Sequence, residues 1–249
     1  MKRGLLLPML LLSVLVVVSA PPSRAGFMDT MIKDLGLSGN PATSSATSLD
    51  DSTIIKGLKE ALSTGTGRAV AAVSKQDGYF GNQMIKIFMP EKLRSAADLV
   101  SKFGFRNEVD DVILGMNRAA EKAAPKAMNY FLSALKTMTF DDARKILKGD
   151  ATSATEYFRE KTGDDIYSAF KPVVSANLQD VGAVQSYKQM TKRLNSIPFA
   201  GSAADFDLDN YVTNKAVEGL FKMLGEEETK IRTDPAARGT ELLRKVFGK

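Results

Sequence analysis

From Leu49 onward, apolar residues recur every three or four positions almost without interruption. That spacing places side chains along one face of an α-helix and leaves little room for any other element. Ile54, Leu58, Leu62, Ala69 and Val73 form the first stripe, with Ser48 and Asp51 as a cap pair ahead of it. Gly65 and Gly67 weaken its middle, and Asp77-Gly78 ends it. Pro90 stands where a first helical residue needs no amide donor, and it opens a helix carrying Leu93, Ala97, Val100 and Phe103, closed by Gly104. Another begins near Asn107 and carries Val109, Val112, Ile113, Met116 and Ala120. Pro125 must kink or restart it, because proline has no amide hydrogen and clashes with the preceding turn. The stripe resumes through Ala127, Phe131, Leu135 and Met138.

Further stretches complete the pattern. Thr139 caps a short helix through Leu147, ended by Gly149. A segment from Thr155 to Lys161 runs to Gly163, and Asp164-Asp165 start another with Ile166, Phe170 and Val174, strained by Pro172. Gln179 to Leu194 is the fourth of these, and a loop with Pro198 and Gly201 follows. The last two run from Asp209 to Thr233 and from Pro235 to Phe247. The one competitor to helix is Gln83 to Met89, where Ile85, Ile87 and Met89 alternate as in a strand. A single short strand has no partner, so the spacing predicts an extended connector with its apolar side chains tucked into the core. The expectation is an all-α fold: one globular bundle of about eight to nine helices over residues 49–249, with no solenoid repeat.

Ahead of the bundle, the amino terminus has the parts of a secretory signal peptide in order. Lys2 and Arg3 precede an apolar run from Leu5 to Val18, and Ser23-Arg24-Ala25 fits the small-x-small cleavage rule. Val18-Ser19-Ala20 fits it too, but Pro21 would follow that cut, so cleavage after Ala25 is expected. The run is shorter than the roughly 20 residues a spanning helix needs. With no cysteine to acylate, a lipid anchor is excluded. Residues 26–48 are rich in Ser, Thr, Ala and Gly and read as a flexible leader, with a short apolar helix from Phe27 to Leu37 as an option inside it. The predicted location is the periplasm or the exterior.

The chain has neither histidine nor cysteine, and no tryptophan. Ser-His-Asp and Cys-His nucleophiles are therefore impossible, as are the common zinc sites and histidine-ligated haem. No cofactor is expected, and stability must come from burial alone, without disulfides. The net charge of +5 falls to +2 once Lys2, Arg3 and Arg24 leave with the signal. So balanced a chain gives no argument for nucleic acid as a partner.

Five groups of residues merit weighing as sites. Asp205, Asp207 and Asp209 alternate like calcium ligands, but Asn210 replaces the turn glycine and Ala216 the bidentate glutamate; helix capping explains the same residues. Asn117, Arg118 and Glu121 share one face of an otherwise apolar helix, either as a ligand-orienting cluster or as a lock on helix packing. Glu228 and Arg232 form an i,i+4 pair, and Arg232 and Arg238 flank the turn at Asp234-Pro235, where an anion would fit. Leu242, Leu243, Val246 and Phe247 alternate with Arg244, Lys245 and Lys249 in a tail suited either to a membrane surface or to packing on the core. The methionines at 84, 89, 116, 128, 138, 190 and 223 suit either an adaptable binding groove or core gaps.

Several blocks also carry a family resemblance. They are Phe88-Met-Pro90-Glu91-Lys92-Leu93, Asn117-Arg118-Ala-Ala-Glu121, Asp209-Asn-Tyr211-Val-Thr-Asn-Lys215-Ala, Gly219-Leu-Phe221, Glu226-Glu-Glu-Thr-Lys-Ile-Arg232, and Pro235-Ala-Ala-Arg238 with Leu242-Leu-Arg-Lys245-Val-Phe247. Over Leu49 to the end the chain resembles the bacterial exported family known as domain of unknown function 4197. It departs from that family's pattern at Asn210, where relatives have an acidic residue, which further weakens a metal site there. The resemblance implies a Gram-negative-type envelope location and a helical fold. It implies no activity, so no functional residue is carried over.

Three functions from different classes follow. One is a non-catalytic module that binds an envelope protein or an apolar small molecule. Another is a carboxylate-based hydrolase of envelope glycans, which needs Glu121 or Glu227 facing a second carboxylate across a cleft, about 5–10 Å away. The third is a membrane-surface adaptor that uses the carboxy-terminal helix.

Overall fold

Eight α-helices pack around one main cluster of buried apolar side chains, in a structure (a computed structural model) that describes residues 51–196 and 206–238, and Arg244. The first, α1 (Asp51–Ser74), buries Leu58, Leu62, Ala69, Val70 and Val73 and runs unbroken through all three of its glycines, Gly57, Gly65 and Gly67. A turn at Asp77, in the left-handed region at φ 62°, leads into the connector over 78–90. Then come α2 (Glu91–Lys102), α3 (Arg106–Ala123) and, past a 3₁₀ turn at Ala124–Lys126 that absorbs Pro125, α4 (Ala127–Thr137). Next are α5 (Phe140–Lys148), α6 (Ser153–Asp180), α7 (Ala183–Ser196) and α8 (Leu208–Thr233). A 3₁₀ turn at Pro235–Ala237 follows, where the spacing predicts a longer helix to Phe247; most of that stretch lies outside the described residues.

The long α6 corrects the expected break at Gly163. Ala154, Phe158, Thr162, Ile166, Phe170, Val174 and Leu178, spaced by four, are all buried. Four residues advance an α-helix by one turn plus about 40°, so this stripe winds around the helix instead of running along it. The chain can bury such a stripe only by passing through the middle of the bundle, and α6 packs on α3, α4, α7 and α8 along its length. A helical glycine costs about 1 kcal/mol, far less than this burial returns. Pro172 is exposed, and the carbonyl it frees belongs to Ser168, which is exposed as well. The real stop is Gly182, at φ +75°, so α7 starts four residues later than Gln179.

Phe131 of α4, Phe158 of α6 and Phe221 of α8 meet edge to face at the centre, with ring centroids 5.1 and 5.9 Å apart from Phe131. Each is fully or almost fully buried. No helix of the described residues is long and apolar enough to cross a membrane.

Candidate functional site

The connector between α1 and α2 is extended from Lys86 to Pro90, yet no strand lies beside it among the described residues. Its side chains alternate: Ile85, Ile87 and Met89 are buried, as the spacing predicts, while Met84 and Phe88 remain 50% and 46% exposed. An extended backbone in a core leaves amide and carbonyl groups to satisfy. Asn117 of α3 answers for both groups of Ile87. Its Oδ1 accepts from the Ile87 amide at 2.8 Å, and its Nδ2 donates to the Ile87 carbonyl at 2.8 Å and to that of Ile113 at 2.8 Å. The side-chain amide thus imitates one residue of a neighbouring strand.

One turn further along α3, Glu121 holds the start of the same segment. Its Oε1 accepts from the consecutive amides of Tyr79 (3.1 Å) and Phe80 (3.2 Å), and its Oε2 takes the Arg118 guanidinium at 2.7 Å. Arg118 also reaches Asp77 at 2.7 Å, pinning the left-handed turn. Tyr79 lies fully buried, its hydroxyl donating to the Ala216 carbonyl at 2.6 Å. Burial, then the nearby Glu121 charge, pushes that phenol far above its ordinary pKa. Gly219 completes the fit, since a Cβ there would stand 2.7 Å from the Tyr79 ring and 3.2 Å from Ile85. The sequence cluster Asn117, Arg118 and Glu121 is therefore brought together, as the lock on the connector.

Glu228 repeats the device on the other side of the molecule. Its oxygens accept from the amides of Ala154 (2.9 Å) and Thr155 (2.8 Å), and from the Thr155 hydroxyl at 2.8 Å. Those are the second and third residues of α6, so Glu228 caps that helix from α8, where the helix dipole favours a negative charge. Arg232 donates to Glu228 at 3.0 and 2.9 Å and to the Ile146 carbonyl at the end of α5 at 2.8 Å. Arg238 donates to the carbonyls of Ile231 (3.0 Å) and Arg232 (2.7 Å). On both sides of the Asp234-Pro235 turn, Arg232 and Arg238 thus donate to the protein's own oxygens.

The remaining candidates fall elsewhere. Asp207 caps α8, accepting from the Asn210 amide at 2.9 Å and from its side chain, while Asn210 accepts the Tyr167 hydroxyl at 2.6 Å. This is capping in place of the calcium-like arrangement; Asp209 lies in the first turn of α8 and Asp205 outside the described residues. Among the described residues no group of three or more side chains is arranged to hold a metal ion. Of the two carboxylates the hydrolase reading names, Glu121 has its oxygens taken by three protein donors, and Glu227 is paired with Lys230 at 2.7 Å. Residues 1–48 and Leu242, Leu243, Val246 and Phe247 lie outside the described residues. Six of the seven weighed methionines are buried in the core, and Met84 is half exposed.

Locking the connector creates a groove that the residue-by-residue reading missed. It measures about 490 Å³ and runs between residues 83–91 and one face of α8 formed by Tyr211, Lys215, Glu218 and Lys222. The Tyr211 hydroxyl donates to the Phe88 carbonyl at 2.9 Å and ties the two walls together. Burial raises the pKa of that phenol. Two cations in the groove are neutralised, Arg94 by Glu91 at 2.8 Å and Lys215 by Glu218 at 2.6 Å. Lys86 and Lys222 have no carboxylate partner among the described residues; the Lys86 ammonium sits 4.0 Å from the Phe80 ring centroid and 5.7 Å from that of Phe88.

Both carboxylate locks, and Phe88, Tyr211 and Lys215 of the groove, fall inside the blocks that carried the family resemblance, whereas Met84, Lys86 and Lys222 fall outside them. A family model described as "Protein of unknown function (DUF4197)" matches residues 48–248. The chain belongs to that family. Neither the curated proteins nor the solved structures give a match. For this DUF4197 chain, what the groove can do rests on its own geometry: a rigid wall of half-exposed apolar side chains edged by two unneutralised ammonium groups.

Proposed function

We propose that this DUF4197 protein is a non-catalytic binding module of the bacterial envelope, exported by cleavage after Ala25, whose groove beside the connector holds a partner. The observation that carries this reading is the half exposure of Met84 and Phe88 on a segment otherwise fixed by Asn117, Glu121 and Tyr211. Apolar side chains on a pre-organised wall lose little entropy on binding, so partner contact there is efficient. The volume falls within the range of ligand sites, about 300–1,000 Å³. Support for a non-catalytic role comes from the missing histidine and cysteine and from Glu121 and Glu228, both saturated by structural donors.

The test combines native mass spectrometry of protein recovered from a Gram-negative periplasm with photo-cross-linking from position 84 in cells. A bound mass or a cross-linked partner is expected with the wild type and should disappear in Phe88→Asp. An unmodified mass together with no cross-link would overturn the reading. A mature amino terminus at Gly26 is expected in the same sample; a full-length precursor would remove the envelope assignment.

A further inference from the structure

Met84 in the turn at residues 83–85, the partly buried Lys86 and the exposed Phe88 all line the groove, so along the chain its face reads apolar, basic, apolar. An extended peptide also turns every second side chain to one face. We propose, building on the groove reading above, that the occupant is an extended peptide segment of a partner protein whose facing side chains run apolar, acidic, apolar. The acidic side chain meets Lys86, and Lys222 on the opposite wall supplies the second ammonium. A flexible alkyl chain has no such two-residue alternation, and it would leave a lysine between two apolar contacts without use.

Charge complementarity points the same way. The groove holds four cations, Lys86, Arg94, Lys215 and Lys222, against two carboxylates, Glu91 and Glu218. Both carboxylates are already neutralised by Arg94 and Lys215. An incoming acidic group therefore meets two ammonium groups and no exposed repulsive partner, which favours acidic over basic sequences. The Lys86 ammonium is held over the Phe80 ring, so it is positioned before the peptide arrives.

The test is an NMR titration of the full mature chain with acetyl-Ser-Leu-Ser-Glu-Ser-Leu-Ser-amide. Its two leucines and its glutamate share one face when extended. Controls replace the glutamate by glutamine or by lysine, and dodecanoate serves as an amphiphile. The expected result is a set of shifts confined to the connector and to the Tyr211–Lys222 face of α8. Replacing the glutamate by glutamine should weaken binding about ten-fold. In Lys86→Glu, with an unchanged circular dichroism spectrum, the preference should reverse toward the lysine peptide. Equal binding of the glutamate and glutamine peptides, or dodecanoate shifting the groove while the peptide is silent, would overturn the proposal. If the cellular adduct is lost in Phe88→Asp but the peptide does not bind, the groove reading stands and the peptide assignment falls. With neither adduct nor peptide binding, both fall.

Discussion

Ser63 and Asn117 are both sealed in the core, and they show opposite fates for a buried polar group. Asn117 makes three hydrogen bonds at 2.8 Å, whereas the Ser63 hydroxyl has no partner, its own carbonyl serving the Thr66 hydroxyl at 3.0 Å. An unsatisfied buried hydroxyl costs about 1–3 kcal/mol. Ser63 also lies inside α1, where alanine is the better helix former. Ser63→Ala should therefore raise stability by about 1 kcal/mol, read as a higher urea midpoint with an unchanged slope. The polar cluster on α3 was legible as a set of side chains able to meet on one helix face. What it holds was not, because Tyr79 and Phe80 stand 42 and 41 residues away in sequence and present only backbone amides. Main-chain donors carry no residue signature, so a pattern of side chains cannot announce them.

At the scale of the element, the helix ends decide more than the helix interiors. The start of α6 has its orphan amides satisfied by Glu228 from a different helix, 74 and 73 residues away. Glu228→Ala would leave those amides without an acceptor and strip the part-buried Arg232 guanidinium of its carboxylate. The expected loss is about 3–5 kcal/mol, measured by chemical denaturation. At α5, by contrast, the start is served locally: Thr139 and Asp142 form a reciprocal capping box, with bonds of 3.1 and 3.0 Å. The Thr139 amide and then its hydroxyl, both donating to Asp142, hold that carboxyl below its ordinary pKa. The folded value is thus the lower one, so this group's contribution to stability is complete above the unfolded carboxylate pKa. It is lost as pH falls through the folded value. An NMR titration should place Asp142 below a model aspartate, and Thr139→Ala should move it part of the way back. Thr139 was legible as a cap because its partner lies three residues on. Gly163 misled for the converse reason: a local breaker was overruled by a stripe of seven buried positions on α6.

Across the whole molecule, the all-helical fold could be read from apolar spacing because nearly every buried contact falls on a helix with a regular face. The groove was only half legible. The alternation Ile85, Ile87, Met89 told which side chains turn inward, and it leaves Met84 and Phe88 exposed with Lys86 partly buried between them. The opposite wall on α8 lies more than a hundred residues further along, and only the folded chain sets Tyr211 against Phe88. The side-chain amide of Asn117 has a consequence for how this region breathes. Regular helices normally supply the slowest amides to exchange with solvent, and connecting segments the fastest. Here the Ile87 amide belongs to no helix or strand, yet its hydrogen is donated to a group rooted in the middle of α3. In deuterated water Ile87 should keep its proton as long as the core amides of that helix, and in Asn117→Ala it should surrender it within the time of a local opening.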